Sequence, residues 1–306
     1  MTIMNIKHIF SLAALAVMTA ACSSEDIIQQ PASQSGQALP FHATISAYAG
    51  TRGLTEATDG LSITAKWVVG EKIALVHGTT VDVMEVKTVD NTTGKATIDG
   101  TATNIPDNGE LAYLVYLGHD PDIMTNYPSS LNTALETAEA YTPTIITKTF
   151  GLGGQNGDLT KISQKYDYRL GEGAITKTQI NGKDYATFAT SPTLDSQFSI
   201  WKLTLTTDGT TPLAASKLDI TCGTSTYTID RTSTTTLSEF YVLLPASFEA
   251  TYKFEATDGT NNYTVTYSGV SLENAKFYRS TLTMAKILQA PGGTSNYEIV
   301  ETPLTW

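Results

Sequence analysis

The sequence predicts an all-β protein of two β-sandwich domains, and three observations carry that prediction. Short segments of alternating apolar and polar residues recur along the chain at a spacing of roughly eight to twelve residues, as in sandwiches. The dipeptides Asn181-Gly182, Asp208-Gly209 and Asp258-Gly259 punctuate them, and glycine there accepts positive φ without steric cost. Charged residues make up only 16% of the chain while Thr, Ser, Gly and Tyr are abundant. That mixture suits strands and turns, not helical bundles.

The first 21 residues contain a charged start (Lys7, His8), an apolar run from Ile9 to Met18, and the small residues Thr19, Ala20 and Ala21. These are the parts of a secretory signal peptide, and the run is shorter than the roughly 20 apolar residues that span a bilayer. Cys22 follows directly. In bacterial lipoprotein signals such a thiol takes a diacylglycerol and becomes the new N-terminus, although Thr19 stands where a leucine is usual. Segment 1–21 is therefore expected to be removed and Cys22 lipidated. Residues 22–38, rich in Ser, Gln, Pro and Gly, are expected to form a flexible tether. Acylation of Cys22 leaves Cys222 alone, so no intramolecular disulfide supports the fold. Cys222 itself reads as a small buried strand residue.

The first sandwich is assigned to 39–165. Phe41, Ala43, Ile45, Ala47 and Ala49 alternate with His42, Thr44, Ser46 and Tyr48, the period of a half-buried strand. Gly50-Thr51-Arg52-Gly53 is a polar break. Strands are then expected at Ile73–His77, Val81–Val89, Ala96–Asp99 and Glu110–Leu117, with a hairpin loop at Asn91-Thr92-Thr93-Gly94. Between 120 and 185 the pattern loosens around Asp120-Pro121, Tyr127-Pro128 and Thr142-Pro143. Short helical turns are expected at Leu131–Ala140 and Leu159–Tyr168. Gly151-Leu152-Gly153-Gly154-Gln155 lacks the context of a nucleotide loop and reads as a flexible linker. The domain junction is placed within 151–181, where breakers concentrate.

The second sandwich, 166–306, is expected to contain Tyr185–Thr190, Gln197–Thr206, Lys217–Cys222, Ser225–Asp230, Phe240–Leu244, Thr251–Thr257, Asn262–Tyr267 and Arg279–Ala285. After Pro291-Gly292-Gly293 comes a last strand-like segment, Tyr297–Trp306, with Val300, Thr302, Leu304 and Trp306 on one face. A free terminus frays unless something captures it. This one calls for a groove.

Motifs for chemistry are sparse. A formal net charge of −11 without a basic footprint argues against nucleic acid as a partner. His42, His77 and His119 lie far apart with no partner at metal-ligand spacing, and read as surface or loop residues. Asp120-Pro121-Asp122 alone falls short of the six to eight oxygens that calcium takes. No nucleophile elbow, phosphate loop or HExxH stretch is present, so no catalytic residue, metal or cofactor is assigned. Trp67, Trp201 and Trp306 read as core residues.

Taken in order, several stretches resemble the fimbrillin family, the type V pilins and related lipoproteins of Gram-negative anaerobes. They are Phe41-His42-Ala43-Thr44-Ile45, Thr51-Arg52-Gly53, Trp67–Leu75, Gly94–Gly100, Leu111–Leu117, Gln155–Leu159 with Tyr166-Asp167-Tyr168, Tyr241–Pro245 and Phe277–Met284. Nearly the whole mature chain is covered. The resemblance implies two transthyretin-like sandwiches and export to the outer membrane through the N-terminal lipid. It also implies trimming by an arginine-specific protease after the first strand, with Arg52-Gly53 as the matching bond. Removal of that strand would open a groove, with Phe41, Ala43 and Ile45 leaving it and Val300, Leu304 and Trp306 available to enter from another subunit. The implied partners are other pilin subunits and a surface ligand of unassigned identity. The competing function is a monomeric surface lipoprotein that binds glycan or a host ligand through its loops.

Overall fold

A computed structural model of the chain describes residues 37–47, 52–58, 60–121, 131, 150–231, 235–289 and 295–296. The first strands are β1 (Leu39–Ala47), β2 (Arg52–Glu56), β3 (Ile63–Lys66), β4 (Lys72–His77), β5 (Thr80–Val89), β6 (Lys95–Ala102) and β7 (Glu110–Leu117). A seven-residue helix, α1 (Leu159–Lys165), precedes β8 (Tyr168–Ile180), β9 (Lys183–Phe188) and β10 (Thr193–Ser196). Then come β11 (Ser199–Thr206), β12 (Lys217–Cys222), β13 (Ser225–Asp230) and β14 (Glu239–Leu244). The series continues with β15 (Ser247–Thr257), β16 (Asn262–Leu272), β17 (Phe277–Thr283) and β18 (Ala285–Lys286). The all-β expectation holds.

Eight strands form the first sheet in the order β10-β1-β6-β5-β4-β7-β8-β9. The sheet closes on itself, because β10 pairs with both β8 and β1, and β9 pairs with β8 and meets β1 at Phe41–Ala186. Period-two side chains turn inward to fill it: Phe41 and Ile45 from β1, Ile73 and Leu75 from β4, Ile98 from β6 and Leu114 from β7. Trp67 caps this core edge-on to Tyr116, at 5.2 Å between ring centroids.

Closure corrects the assignment of 166–196 to the second block, since β8, β9 and β10 are all strands of the first sheet. A glycine permits the closing contact between β8 and β10. A Cβ on Gly171 would lie 2.6 Å from the backbone oxygen of Thr193, so only glycine lets β10 cross β8 this closely. The sheets part at Gln197-Phe198, between β10 and β11.

The second block is a two-layer sandwich. A three-stranded sheet, β14-β11-β17, faces a five-stranded sheet, β13-β12-β15-β16-β18. Trp201 and Leu203 from one layer meet Tyr252 and Phe254 from the other, all with 0–1% exposure. Trp201 stands edge-on to both aromatic rings and donates Nε1–H to Ser280 Oγ at 3.0 Å. The predicted turns are present, with Gly182, Gly209 and Gly259 at φ of 76°, 89° and 93°. Cys222 ends β12 and is half-buried against this core, less enclosed than expected.

A third core joins the two blocks. The outer side chains of β4 and β7 (Ala74, Val76, Tyr113, Val115) pack with Leu54 of β2, Ile162 of α1 and Leu243 of β14. The glycine-rich stretch before α1 belongs to this junction and is not a free linker. Gln155 is 1% exposed, donates Nε2–H to Leu243 O at 3.1 Å, and accepts from Leu243 N at 2.8 Å. Arg231 donates to Asn156 O at 2.8 Å and pairs with Asp158 at 2.9 Å. Gly157, at φ 82°, lies so close to Phe240 that a Cβ would stand 2.7 Å from the ring. We expect Gln155→Ala to cost about 1–3 kcal/mol in urea unfolding, because it orphans two buried backbone groups of Leu243. A loss below a few tenths would mean that the stretch is not held as described.

His77 overturns the expectation of a surface histidine. Its side chain is 1% exposed, with Nδ1 2.6 Å from Glu110 Oε1 and Nε2 3.5 Å from Asp82 Oδ2. Burial alone would depress the imidazole pKa; the two carboxylates outweigh it and raise the pKa above the ordinary 6.5. The folded state therefore favours the imidazolium. Its contribution is complete below pH 6.5 and is lost as pH rises through the folded-state value. The gap in melting temperature between wild type and His77→Gln should be widest in acid and narrow toward alkaline pH. A gap that widens with pH would contradict this.

Candidate functional site

The candidate site is the slot that β1 occupies. Its alternation puts Leu39, Phe41, Ala43 and Ile45 inside, at 0–5% exposure, and leaves His42 outside beside Asp99, with Nδ1 2.5 Å from Oδ1. One edge of β1 runs antiparallel to β6 from Leu39–Ala102 to Ser46–Lys95. The other edge meets β9 at Phe41–Ala186 and β10 at Ser46–Thr193 and Ala47–Leu194, in parallel. Thr187 adds a hydroxyl donation to His42 O at 2.7 Å, and Ser46 N donates to Pro192 O at 3.1 Å.

β1 is thus an interior strand, and lifting it out would break a closed sheet. The slot left behind would have β6 on one side and β9 with β10 on the other, floored by Ile98, Phe188 and Leu194 of the first core. Phe188 stands edge-on to Phe41 at 5.7 Å. Such a slot offers unpaired backbone groups on two edges and apolar pockets of period two between them. Only an extended segment with alternating apolar residues satisfies both.

The structure brings Phe41, Ala43 and Ile45 together in this slot. Arg52 and Gly53, expected in a loop, instead open β2, where Arg52 stands opposite Lys66 of β3. Cys22, Val300, Leu304 and Trp306 lie outside the described residues.

An anchorage that the sequence did not disclose lies just beyond Gly53. Leu54 is 8% exposed in the third core, and its N–H donates to Ser163 Oγ at 3.2 Å. Glu56 accepts from Lys202 Nζ at 3.0 and 3.1 Å and from the Tyr241 hydroxyl. Lys202 also lies 5.3 Å from the centroid of the Tyr241 ring. Partial burial raises the Glu56 pKa, and the Tyr241 hydroxyl and Lys202 ammonium reverse that, holding the carboxyl below its ordinary value. The residues that follow the Arg52–Gly53 bond are therefore fastened to β11 and β14, independently of β1.

No protein-family model matches the chain, and no curated protein matches it. Among solved structures it is similar to a fimbrial protein from Bacteroides ovatus, at 13% identity and a TM-score of 0.39, over 87% of this chain and 50% of that one. The chain spans about half the length of that protein. It is also similar to a fimbrial assembly protein from Parabacteroides distasonis, at 7% identity and a TM-score of 0.43, covering 84% and 93% of the two chains. The tip fimbrial protein Mfa3 from Porphyromonas gingivalis shares 9% identity at a TM-score of 0.37, over 79% and 94%. At these identities no residue role is carried across from them.

Proposed function

We propose that this chain is a surface pilus component that supports adhesion, exported as a lipoprotein through Cys22 and assembled by strand exchange after cleavage at Arg52. The observation that carries this reading is the state of β1: an interior strand with four buried side chains, paired on both edges. Its departure would leave a slot shaped for one more strand and nothing else. The anchorage of Leu54 and Glu56 supports the same reading, because the body keeps its hold on the new N-terminal residues once β1 is detached. Partners in this scheme are other pilin subunits and, before trimming, the outer membrane.

The incoming strand is proposed to be Tyr297–Trp306, whose Val300, Leu304 and Trp306 match the period of the slot. Unboiled cell envelopes run on SDS gels should show a ladder of oligomers, and deletion of Tyr297–Trp306 should collapse it to monomer. A ladder unchanged by the deletion would exclude this segment as the donor. The two sandwiches are proposed to be separate domains that divide at Gln197-Phe198, with the third core as their interface.

A further inference from the structure

We propose that a pocket of about 480 Å³ where the two sandwiches meet is a binding site for a neutral saccharide. Five separated segments build it, contributing Phe150, Gln197, Phe198, Tyr227, Pro245 and Asn274 among others. Its size falls in the range of small-ligand sites, which combine mostly apolar walls with a few polar groups.

The lining selects the ligand class. Among the described residues no charged side chain borders the pocket, although the chain as a whole carries a net charge of −11. A charged ligand would lose its water there without gaining a counter-ion from any of these lining residues. The rings are held in place before any ligand arrives. Phe150 stacks on Tyr168 at 4.7 Å, and Phe198 stands edge-on to both, at 6.2 and 5.9 Å. The amide nitrogen of Gln197 donates to Asp195 O at 2.9 Å, which fixes the side chain and leaves its oxygen as the acceptor. Asn274 supplies a second amide from the turn between β16 and β17. Rings for apolar C–H faces, with amides for hydroxyls, complement a neutral sugar.

A second observation concerns the backbone at this wall. Ala275 has φ 60°, a left-handed conformation that is disfavoured for a residue with a Cβ. Its N–H donates to Phe198 O at 3.0 Å, which ties the Asn274 turn to the aromatic wall. Strain of this kind concentrates where a site must hold its shape.

Saturation-transfer difference NMR on the full chain in detergent tests the proposal. The probes are the methyl glycosides of galactose, mannose and N-acetylglucosamine, with sialyllactose and N-acetylphenylalaninamide as charged and peptide-like competitors. At least one neutral glycoside should give transfer, and Gln197→Ala with Asn274→Ala should weaken it about tenfold without moving the melting temperature. If the double variant fails to fold, Asn274→Ala alone, at an exposed turn, should still weaken it. The proposal is overturned if no neutral glycoside gives transfer, if only sialyllactose or the phenylalanine amide does, or if the folded variants bind as wild type. None of these readouts depends on trimming or polymerisation.

Discussion

Arg52→Ala should leave the chain anchored and monomeric on cells, with no SDS-stable ladder, while its melting temperature stays within a few degrees of wild type. The argument begins with what holds β1. Phe41 and Ile45 are buried in the first core at a gross gain of about 1.5–3 kcal/mol each, and backbone pairing on both edges adds to that. While the chain is continuous, β1 competes for its slot as a tethered segment, with an effective concentration of the order of millimolar. A strand from another subunit cannot match that advantage. Cutting Arg52–Gly53 removes the tether, and the two strands then compete on equal terms. A variant that cannot be cut keeps the advantage permanently. An Arg52→Ala chain that still assembles would show that another bond is cut or that β1 is not the strand replaced.

Trp201→Ala should be the most damaging single truncation in the second sandwich, at about 3–5 kcal/mol in urea unfolding. Trp201 has 0% exposure, meets Tyr252 and Phe254 at 5.6 and 5.7 Å, and leaves Ser280 without its indole donor when removed. Because Ile200 and Leu243 join the third core, the loss should also loosen Gln155 and the contact with α1. A cost of less than about 1 kcal/mol would mean that the sandwich collapses into the void or tolerates it, and that its core is more plastic than this packing implies.

Local signals explain which parts of the structure were legible. The expected bounds Glu110–Leu117, Lys217–Cys222 and Ser225–Asp230 coincide with β7, β12 and β13, because each is bounded by turn residues. β8 is not legible locally because Gly171 and Gly173 break its alternation, and the space they leave is used by strands met only after folding. The third core leaves one trace in the sequence: Ile73–Val76 is apolar without alternation and buried on both faces. A continuous apolar run signals a strand covered on both sides. No local pattern announces Gln155 with Leu243, 88 residues away, or Lys202 with Glu56, 146 residues away. The buried position of His77 was hidden for the same reason, since Glu110 lies 33 residues beyond it.

The most direct test of the strand-exchange account is to trim the purified precursor with an arginine-specific protease and follow mass and oligomeric state together. The account predicts cleavage between Arg52 and Gly53, followed by oligomers that grow with protein concentration as the β1 peptide is displaced into solution. Because β1 is paired on both edges, displacement should depend on the concentration of trimmed chain and be slow when it is dilute. A body cut at Arg52 that remains monomeric at every concentration, with the β1 peptide still bound, would contradict it.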